Sequence, residues 1–433
     1  MVYRLYDIAL LLSSVILIPY YLFRGLRYGK TRRGLRERLG YFIPEQLALL
    51  EARKVIWIHA VSVGETRAAI PLLKGLRKTY PDACLVLSNV TETGRAIARE
   101  IPEIDVCLFF PFDLSWAVRR TLRLINPAVI LIVETEIWPN FVRIAHENKV
   151  PVMLVNGRFS DRSFPRYFTI KRFVKPLLKM FSSFCMQTAQ DARRARRIGA
   201  PIDKVVVTGN LKFDTISSLQ TLPKPEDVRA KFHISDGVPV WVAGSTHAGE
   251  EKIVADVALS LSKSKVDQIL VLVPRHPERA RNIGEDLTEM GLSWVLRSEI
   301  SDREKLQAGD VLLVDTIGEM LLFYSIAELV FVGGSLVPVG GHNLLEASLL
   351  NKPVLFGSFM QNFKEIANYV LESNAGIQVE GERQLLEKVE LLLKSPNHCR
   401  EMGRRGFDLL SKHAGATEKT LIEVARHWDE KRG

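Results

Sequence analysis

Glu65 stands just past a run of apolar residues, in the segment Ala60-Val61-Ser62-Val63-Gly64-Glu65-Thr66. The run Val55–His59 reads as a strand, and Gly64 would permit a tight turn into the helix behind it. A carboxylate in the first turn of a helix can complement the helix dipole. It can equally serve as a general base at a strand end. Both readings stand on the residues alone. Glu134 and Glu136 follow the buried strand candidate Val129–Val133 in the same way. With one residue between them, the two acids are expected on opposite sides of the chain, so joint metal binding is not expected of them. Capping or an arginine partner competes here with substrate positioning.

The second half carries a denser set. Gly244-Ser245-Thr246-His247 follows a strand and precedes an acidic helix starting near Glu250. Small residues with free N–H groups at a helix start suit a phosphate. Arg275 and His276 follow the strand Ile269–Val273 and suit an anion, with a surface salt bridge as the plainer account. Gly333-Gly334-Ser335 follows the strand Leu329–Val332, and Gly340-Gly341-His342-Asn343 leads into a helix bearing Glu346. Asn343 and Glu346 are three apart and share a helix face. Backbone amides for phosphate and an acid for sugar hydroxyls together point to a nucleotide. The chain has no GxxxxGK[ST] run and no D-x-D pair, which argues against a P-loop and against metal-dependent transfer from a nucleoside diphosphate sugar.

These residues need elements to hold them. Continuous β-rich runs at Val55–His59, Cys84–Ser88, Val106–Phe110, Val129–Val133, Val152–Val155, Phe184–Met186 and Val205–Thr208 alternate with amphipathic stretches. Strands without polar alternation mark parallel sheets buried on both faces. A polar stretch with Pro223 and Pro225 reads as a linker, and the pattern restarts at Val240–Ala243, Ile269–Val273, Val311–Val314, Leu329–Val332 and Val354–Phe356. The expected fold is therefore α/β, with two doubly wound domains. Ligands in such sheets sit beyond the carboxyl ends of the strands, here in a cleft that the two domains would face. The segment from about 396 to 433 reads as helical.

The 433 residues carry a net charge of +10, unevenly placed. Residues 1–50 hold a net +5 and residues 161–197 a net +8, which leaves the remainder at −3. Local positive charge suggests an anionic surface as partner. No recognition-helix, RNP or zinc-finger pattern supports nucleic acid. A membrane is favoured by Ile8–Phe23, sixteen residues without a charge. Arg24, Arg27, Lys30, Arg32, Arg33, Arg36 and Arg38 follow it, the opposite of a cleaved signal peptide. The expectation is a single N-terminal anchor, spanning or interfacial, with the following domains on the cytoplasmic side. Only this segment is apolar enough to cross a bilayer, which excludes a multi-span transporter. Hydrophobic residues at 47% and charged residues at 25% exclude a disordered chain. Four scattered cysteines fit neither a zinc site nor a disulfide framework.

WIHAVSVGE (57–65), PFD (111–113), ETEIWPN (134–140), NGRFSDRS (156–163), TGNLKFD (208–214), GSTHAGEE (244–251), PRHPER (274–279) and GGSLVPVGGHNLLEA (333–347) occur in this order. Together they resemble the 3-deoxy-D-manno-octulosonic acid (Kdo) transferases, which move Kdo from CMP-Kdo to a lipid A precursor in lipopolysaccharide synthesis. Asn156-Gly157-Arg158 departs slightly from the family's usual Asn-Ala-Arg. The resemblance implies a GT-B fold, two Rossmann-like domains with an N-terminal inner-membrane anchor. It implies a basic anchor segment over 1–50, an acceptor domain over 51–215, a CMP-Kdo domain over 216–400 and a helix over 401–433 crossing back. It further implies that Arg275, His276, Gly334, Ser335, Asn343 and Glu346 face CMP, with Gly244, Ser245 and Thr246 lining the same cleft. Glu65 matches the family's proposed base, for an inverting reaction without a metal cofactor. Ser62, Gly64, Glu134, Glu136, Asn156, Arg158 and Lys212 are acceptor-side or structural candidates. A basic rim over 161–197 would hold acceptor phosphates and the anionic bilayer surface. A transferase of the same fold using another nucleotide sugar on a lipid acceptor is the competing reading.

Overall fold

Val-Ile-Trp-Ile-His at β1 (Val55–His59) and Pro-Ala-Val-Ile-Leu-Ile-Val at β4 (Pro127–Val133) are buried at every position. Unbroken burial requires cover on both faces, and the helices between strands supply it. The computed structural model describes residues 6–8, 10–13, 34–50, 53–161, 163–214, 222–302 and 305–428. They form two units, Met1–Asp214 with Ala414–Gly433, and Thr215–His413.

Unit 1 has a seven-stranded parallel sheet in the order β3-β2-β1-β4-β5-β6-β7. Its other strands are β2 (Cys84–Asn89), β3 (Val106–Phe109), β5 (Val152–Gly157), β6 (Ser183–Met186) and β7 (Val205–Val207). The order reverses between β1 and β4, where His59 pairs with Ile132. Two parallel strands whose crossovers leave in opposite directions open a crevice at their carboxyl ends. His59 itself is core. Its ring stacks on Phe110 with centroids 3.8 Å apart, and burial lowers its pKa to about 3, so it is neutral.

Unit 2 repeats the plan in the order β10-β11-β9-β8-β12-β13-β14. The strands are β8 (Val240–Thr246), β9 (Ile269–Pro274), β10 (Trp294–Leu296), β11 (Val311–Leu313), β12 (Leu329–Val332), β13 (Val354–Phe356) and β14 (Gly376–Gln378). Its reversal lies between β8 and β12, where Gly244 pairs with Val332. The edge strands β10 and β14 have three residues each and no run of apolar residues long enough to mark them in the sequence.

The helix Pro396–His413 belongs to unit 2, whereas the final helix Ala416–Trp428 belongs to unit 1. Asp214 of the TGNLKFD segment fastens that last helix by accepting from Gly415 N at 2.7 Å and from Thr417 N. Trp428 at its far end packs on Tyr80, with ring centroids 4.7 Å apart, and lies under Lys54 Nζ.

Most of the apolar run Ile8–Phe23, the cations from Arg24 to Arg33, and Arg162 lie outside the described residues. Among the described residues no helix is long and apolar enough to cross a membrane. Tyr6 and Asp7 are described, and they dock on unit 1. Asp7 accepts from Asn140 Nδ2 at 2.7 Å and from Ser115 N at 3.2 Å. Tyr6 OH donates to Asp113 at 3.1 Å, and Asp113 also accepts from Asn140 N and Phe141 N. The PFD and WPN segments thus hold Tyr6 and Asp7.

Candidate active-site residues in the two units

In unit 1 the helix Val63–Thr79 begins directly beyond β1, with Ser62 as its first non-helical neighbour. Glu65 therefore falls three residues past the cap and reaches back. Its carboxylate accepts from Val61 N at 2.6 Å and from Ser62 Oγ at 3.2 Å. Gly64 lies inside the first helical turn, and a Cβ there would meet only Ser62 Oγ at 3.9 Å. The expected tight turn at Gly64 is not formed; the chain turns through Ala60–Ser62 instead.

Glu65, Glu134, Thr135, Glu136, Arg158, Ser160 and Ser163 line a cavity of about 330 Å³. Glu134 and Glu136 were expected on opposite sides, and this expectation fails. Residues two apart on extended backbone share a face, so the two-residue period itself contradicts that expectation. Both acids line the cavity that holds Glu65, with Glu134 just past the end of β4 at φ 61°. Burial raises the Glu65 pKa to about 7, partly offset by the Val61 N–H, and the charges of Glu134 and Glu136 push it further up. Glu136 is raised by burial and then by Glu134. Lys212 Nζ stands 3.9 Å from Glu134. Asn156, fully buried at φ 53°, is a strut: its Oδ1 accepts from Leu211 N at 3.0 Å, setting the chain that carries Lys212. Thr135 Oγ1 accepts from Arg158 N at 3.2 Å and donates to the same residue's carbonyl, joining the two cavity walls.

In unit 2 the expected phosphate nest is already filled. Glu250, fully buried, accepts from Gly334 N at 2.6 Å, Ser335 N at 2.9 Å, Leu336 N at 2.8 Å and His247 N at 2.9 Å. Ser335 is also fully buried, and its Oγ accepts from Gly357 N at 2.8 Å. The Gly334 and Ser335 amides therefore do not offer themselves to a phosphate, as the sequence suggested. Gly244 is a packing position, since a Cβ there would run into the Tyr324 hydroxyl. Ser245 sits at φ 56° where the β8–β9 register shifts, and Thr246 is fully buried with Oγ1 lacking a partner.

What these strand ends present instead is a set of imidazoles. His247, beyond β8, has Nε2 2.9 Å from Nε2 of His342, on the loop after β12. His276, beyond β9, stands edge-on to His247 with centroids 5.9 Å apart, next to exposed Arg275. Asn343 donates to Glu346 at 3.2 Å and accepts from Leu345 N, opening the short helix Leu345–Leu349. His247 and His342 were not singled out from sequence; their positions flanking Gly-rich turns were the available signal. Among the described residues no group of three or more His, Cys, Asp or Glu is placed to hold a metal ion. A larger cavity, about 650 Å³, lies by Arg229 and Lys305 and contains no motif residue.

Comparison with known proteins decides the family. The 3-deoxy-D-manno-octulosonic acid transferase of Haemophilus influenzae is 30% identical over 96% of this chain and 96% of its own. The chain belongs to the 3-deoxy-D-manno-octulosonic acid transferase family. The Rickettsia felis transferase of the same name is 34% identical over 81% of this chain and 74% of its own. Residues 33–215 match the family described as "3-Deoxy-D-manno-octulosonic-acid transferase (kdotransferase)". Among solved structures, the UDP-GlcNAc 2-epimerase of Neisseria meningitidis aligns with a TM-score of 0.57 at 13% identity. It covers 86% of this chain and all of that one, a likeness of fold alone. The fold of this Kdo transferase family member is accordingly GT-B-like, two parallel-sheet α/β units.

Proposed function

We propose that this enzyme transfers Kdo from CMP-Kdo to a lipid A precursor in lipopolysaccharide synthesis, inverting the anomeric carbon with Glu65 as general base. The observation that carries the mechanism is the Glu65 carboxyl, raised to about 7 in a cavity with Glu134 and Glu136. A base is most effective when its pKa lies near the working pH. Glu65 takes the proton of the acceptor hydroxyl, that oxygen bonds to the anomeric carbon, and the bond to the CMP phosphate breaks. CMP departs with the electron pair. Arg158 and Lys212 supply positive charge beside the acids on the acceptor side.

Unit 2 supplies the donor side, through Arg275, His276, Asn343 and Glu346, with Thr246 and His247 at the neighbouring strand end. Gly244, Ser245, Gly334 and Ser335 shape this region through backbone geometry and are not assigned ligand contacts. The leaving group is a nucleoside monophosphate, so there is no pyrophosphate for a cation to bridge. That chemistry, with the absent D-x-D pair, supports a reaction without a metal cofactor.

We place the enzyme at the inner membrane through an anchor in its first residues, with both units on the cytoplasmic side. The charge of residues 1–50 supports this, as do Ile8, Leu11 and Leu12, all exposed in the described part. Phe168, Ile170 and Phe173 are exposed beside Arg166, Lys171 and Arg172, a surface suited to acceptor phosphates and anionic headgroups.

The deciding assay incubates purified protein and a tetra-acylated lipid A precursor with CMP-Kdo, and separately with UDP-sugars. CMP release with a product heavier by Kdo is expected. Release of UDP with no turnover of CMP-Kdo would instead favour the reading with another nucleotide sugar.

A further inference from the structure

Two imidazole nitrogens 2.9 Å apart must share one proton. Between His247 Nε2 and His342 Nε2, two protons would repel and two bare lone pairs would repel as well. One ring donates and the other accepts, so the pair exists as neutral or singly charged, and a double charge must break the contact. The rings are nearly parallel, with 7° between their planes. They lie at the reversal between β8 and β12, beside the left-handed Gly334. A Cβ on Gly334 would stand 3.0 Å from His342 Cδ2 and 3.4 Å from His247 Cδ2, so glycine here lets both rings approach the backbone.

The charged groups acting on His247 are Glu250, Glu251, Arg275 and His276. On the helix Glu250–Lys263, Glu250 is taken by four backbone N–H groups, and Glu251 by Arg279 at 2.8 and 3.3 Å. Beyond β9 stand His276 and Arg275. An incoming anion thus meets imidazoles and a guanidinium, with Glu250 and Glu251 already satisfied and the exposed Glu278 beside His276, its carboxylate 3.4 Å from Nδ1.

Resting on the reading of unit 2 as the donor side, we propose that the His247–His342 pair is a proton-coupled contact for the donor's phosphodiester, taking up one proton from solvent as the anion binds. The nest that would ordinarily bind phosphate is occupied by Glu250, so the imidazoles take over that work. Burial holds His247 below the ordinary imidazole value, with His276 and Arg275 adding to the effect against the pull of Glu250 and Glu251. The free pair is then neutral near pH 7, and an anion that stabilises the charged form draws the proton in.

Linkage sets the size. Binding that takes up one proton strengthens by up to about tenfold for each pH unit of acidification between the bound and free pKa values. The probe is the methyl ester of CMP, a phosphodiester whose own charge is constant over this range, and cytidine is the uncharged control. Calorimetry on the full chain from about pH 8 to 6 is expected to show tighter binding of the ester as pH falls, and a flat profile for cytidine. His247→Gln and His342→Gln are each expected to flatten the ester's profile while their melting temperatures stay near wild type. Titrations of the wild type in two buffers of different ionisation enthalpy read the proton uptake directly and need no variant. Equal slopes in wild type and both variants, or no proton uptake by wild type, would overturn the proposal. Failure of folded wild type to bind either probe would overturn the donor reading itself, and the proposal with it.

Discussion

Glu250 and Gly334 lie 84 residues apart, yet the carboxylate of one accepts the amide of the other at 2.6 Å. The same carboxylate collects three more N–H groups from Ser335, Leu336 and His247. A buried charge is tolerated only when its lone pairs are met in this way. One side chain thereby joins the turn after β8 to the turn after β12.

Glu250→Gln should therefore be costly. The amide group would turn an NH2 toward backbone donors and leave at least one of them unpaired. Hydrogen bonds to charged groups are worth about 1.5–3 kcal/mol each. A loss of about 3 kcal/mol in denaturant unfolding is expected, with CMP binding weakened in parallel. An unchanged unfolding midpoint would show that the nest does not depend on the charge.

For Glu65 the raised value gives a sign. Its folded pKa of about 7 exceeds the ordinary 4.5, so the fold prefers the protonated form. The associated stability is complete below about pH 4.5 and fades as pH rises through 7. Glu65→Gln, which keeps a neutral side chain at all pH, should melt at or above the wild-type temperature at pH 8. Turnover should fall by about 10²–10⁴, the usual loss for a positioned base. Turnover within a few-fold of wild type, with a lowered melting temperature, would make Glu65 a helix-capping residue only.

Wild-type kcat/KM should rise with pH along an acid limb near 7, because the base must be ionised. Glu134→Gln removes a negative charge that raises Glu65, so the limb should move to lower pH. A limb that stays in place would remove Glu134 from the electrostatics of Glu65.

Deletion of residues 1–13 tests the docking of Asp7. The chain should still fold, since both sheets lie beyond residue 54. Unit 1 would lose the hydrogen bonds of Asp7 to Asn140 and Ser115, a cost of about 1–3 kcal/mol for buried groups left unmet. Scanning calorimetry should show a cooperative transition lowered by a few degrees. An identical transition would mean that Asp7 contributes nothing to the fold.

Burial pattern and order along the chain were enough for the strands that build the sheets. Val55–Ile58, Val129–Val133, Val240–Ala243 and Leu329–Val332 are unbroken apolar runs, short and rich in β-branched residues between helical stretches, which suits a parallel sheet covered on both faces. The motif residues at their ends were legible for the same reason, because a polar residue following a buried strand has to emerge from the sheet. The edge strands β10 and β14 were not legible, since three half-covered residues carry no period.

Tertiary structure decided which of those end residues meet. Glu65 and Glu134 share a cavity because β1 and β4, distant in sequence, are neighbours where the strand order reverses. Strand order is not written in local composition. The amides of Gly334 and Ser335 read as open in the sequence and are closed by Glu250, a residue from the far side of the reversal in unit 2. His247 and His342, 95 positions apart, meet for the same reason. Residue type and local periodicity set what each strand end could offer, while the crossing of the chain at each sheet's reversal set which offers were combined.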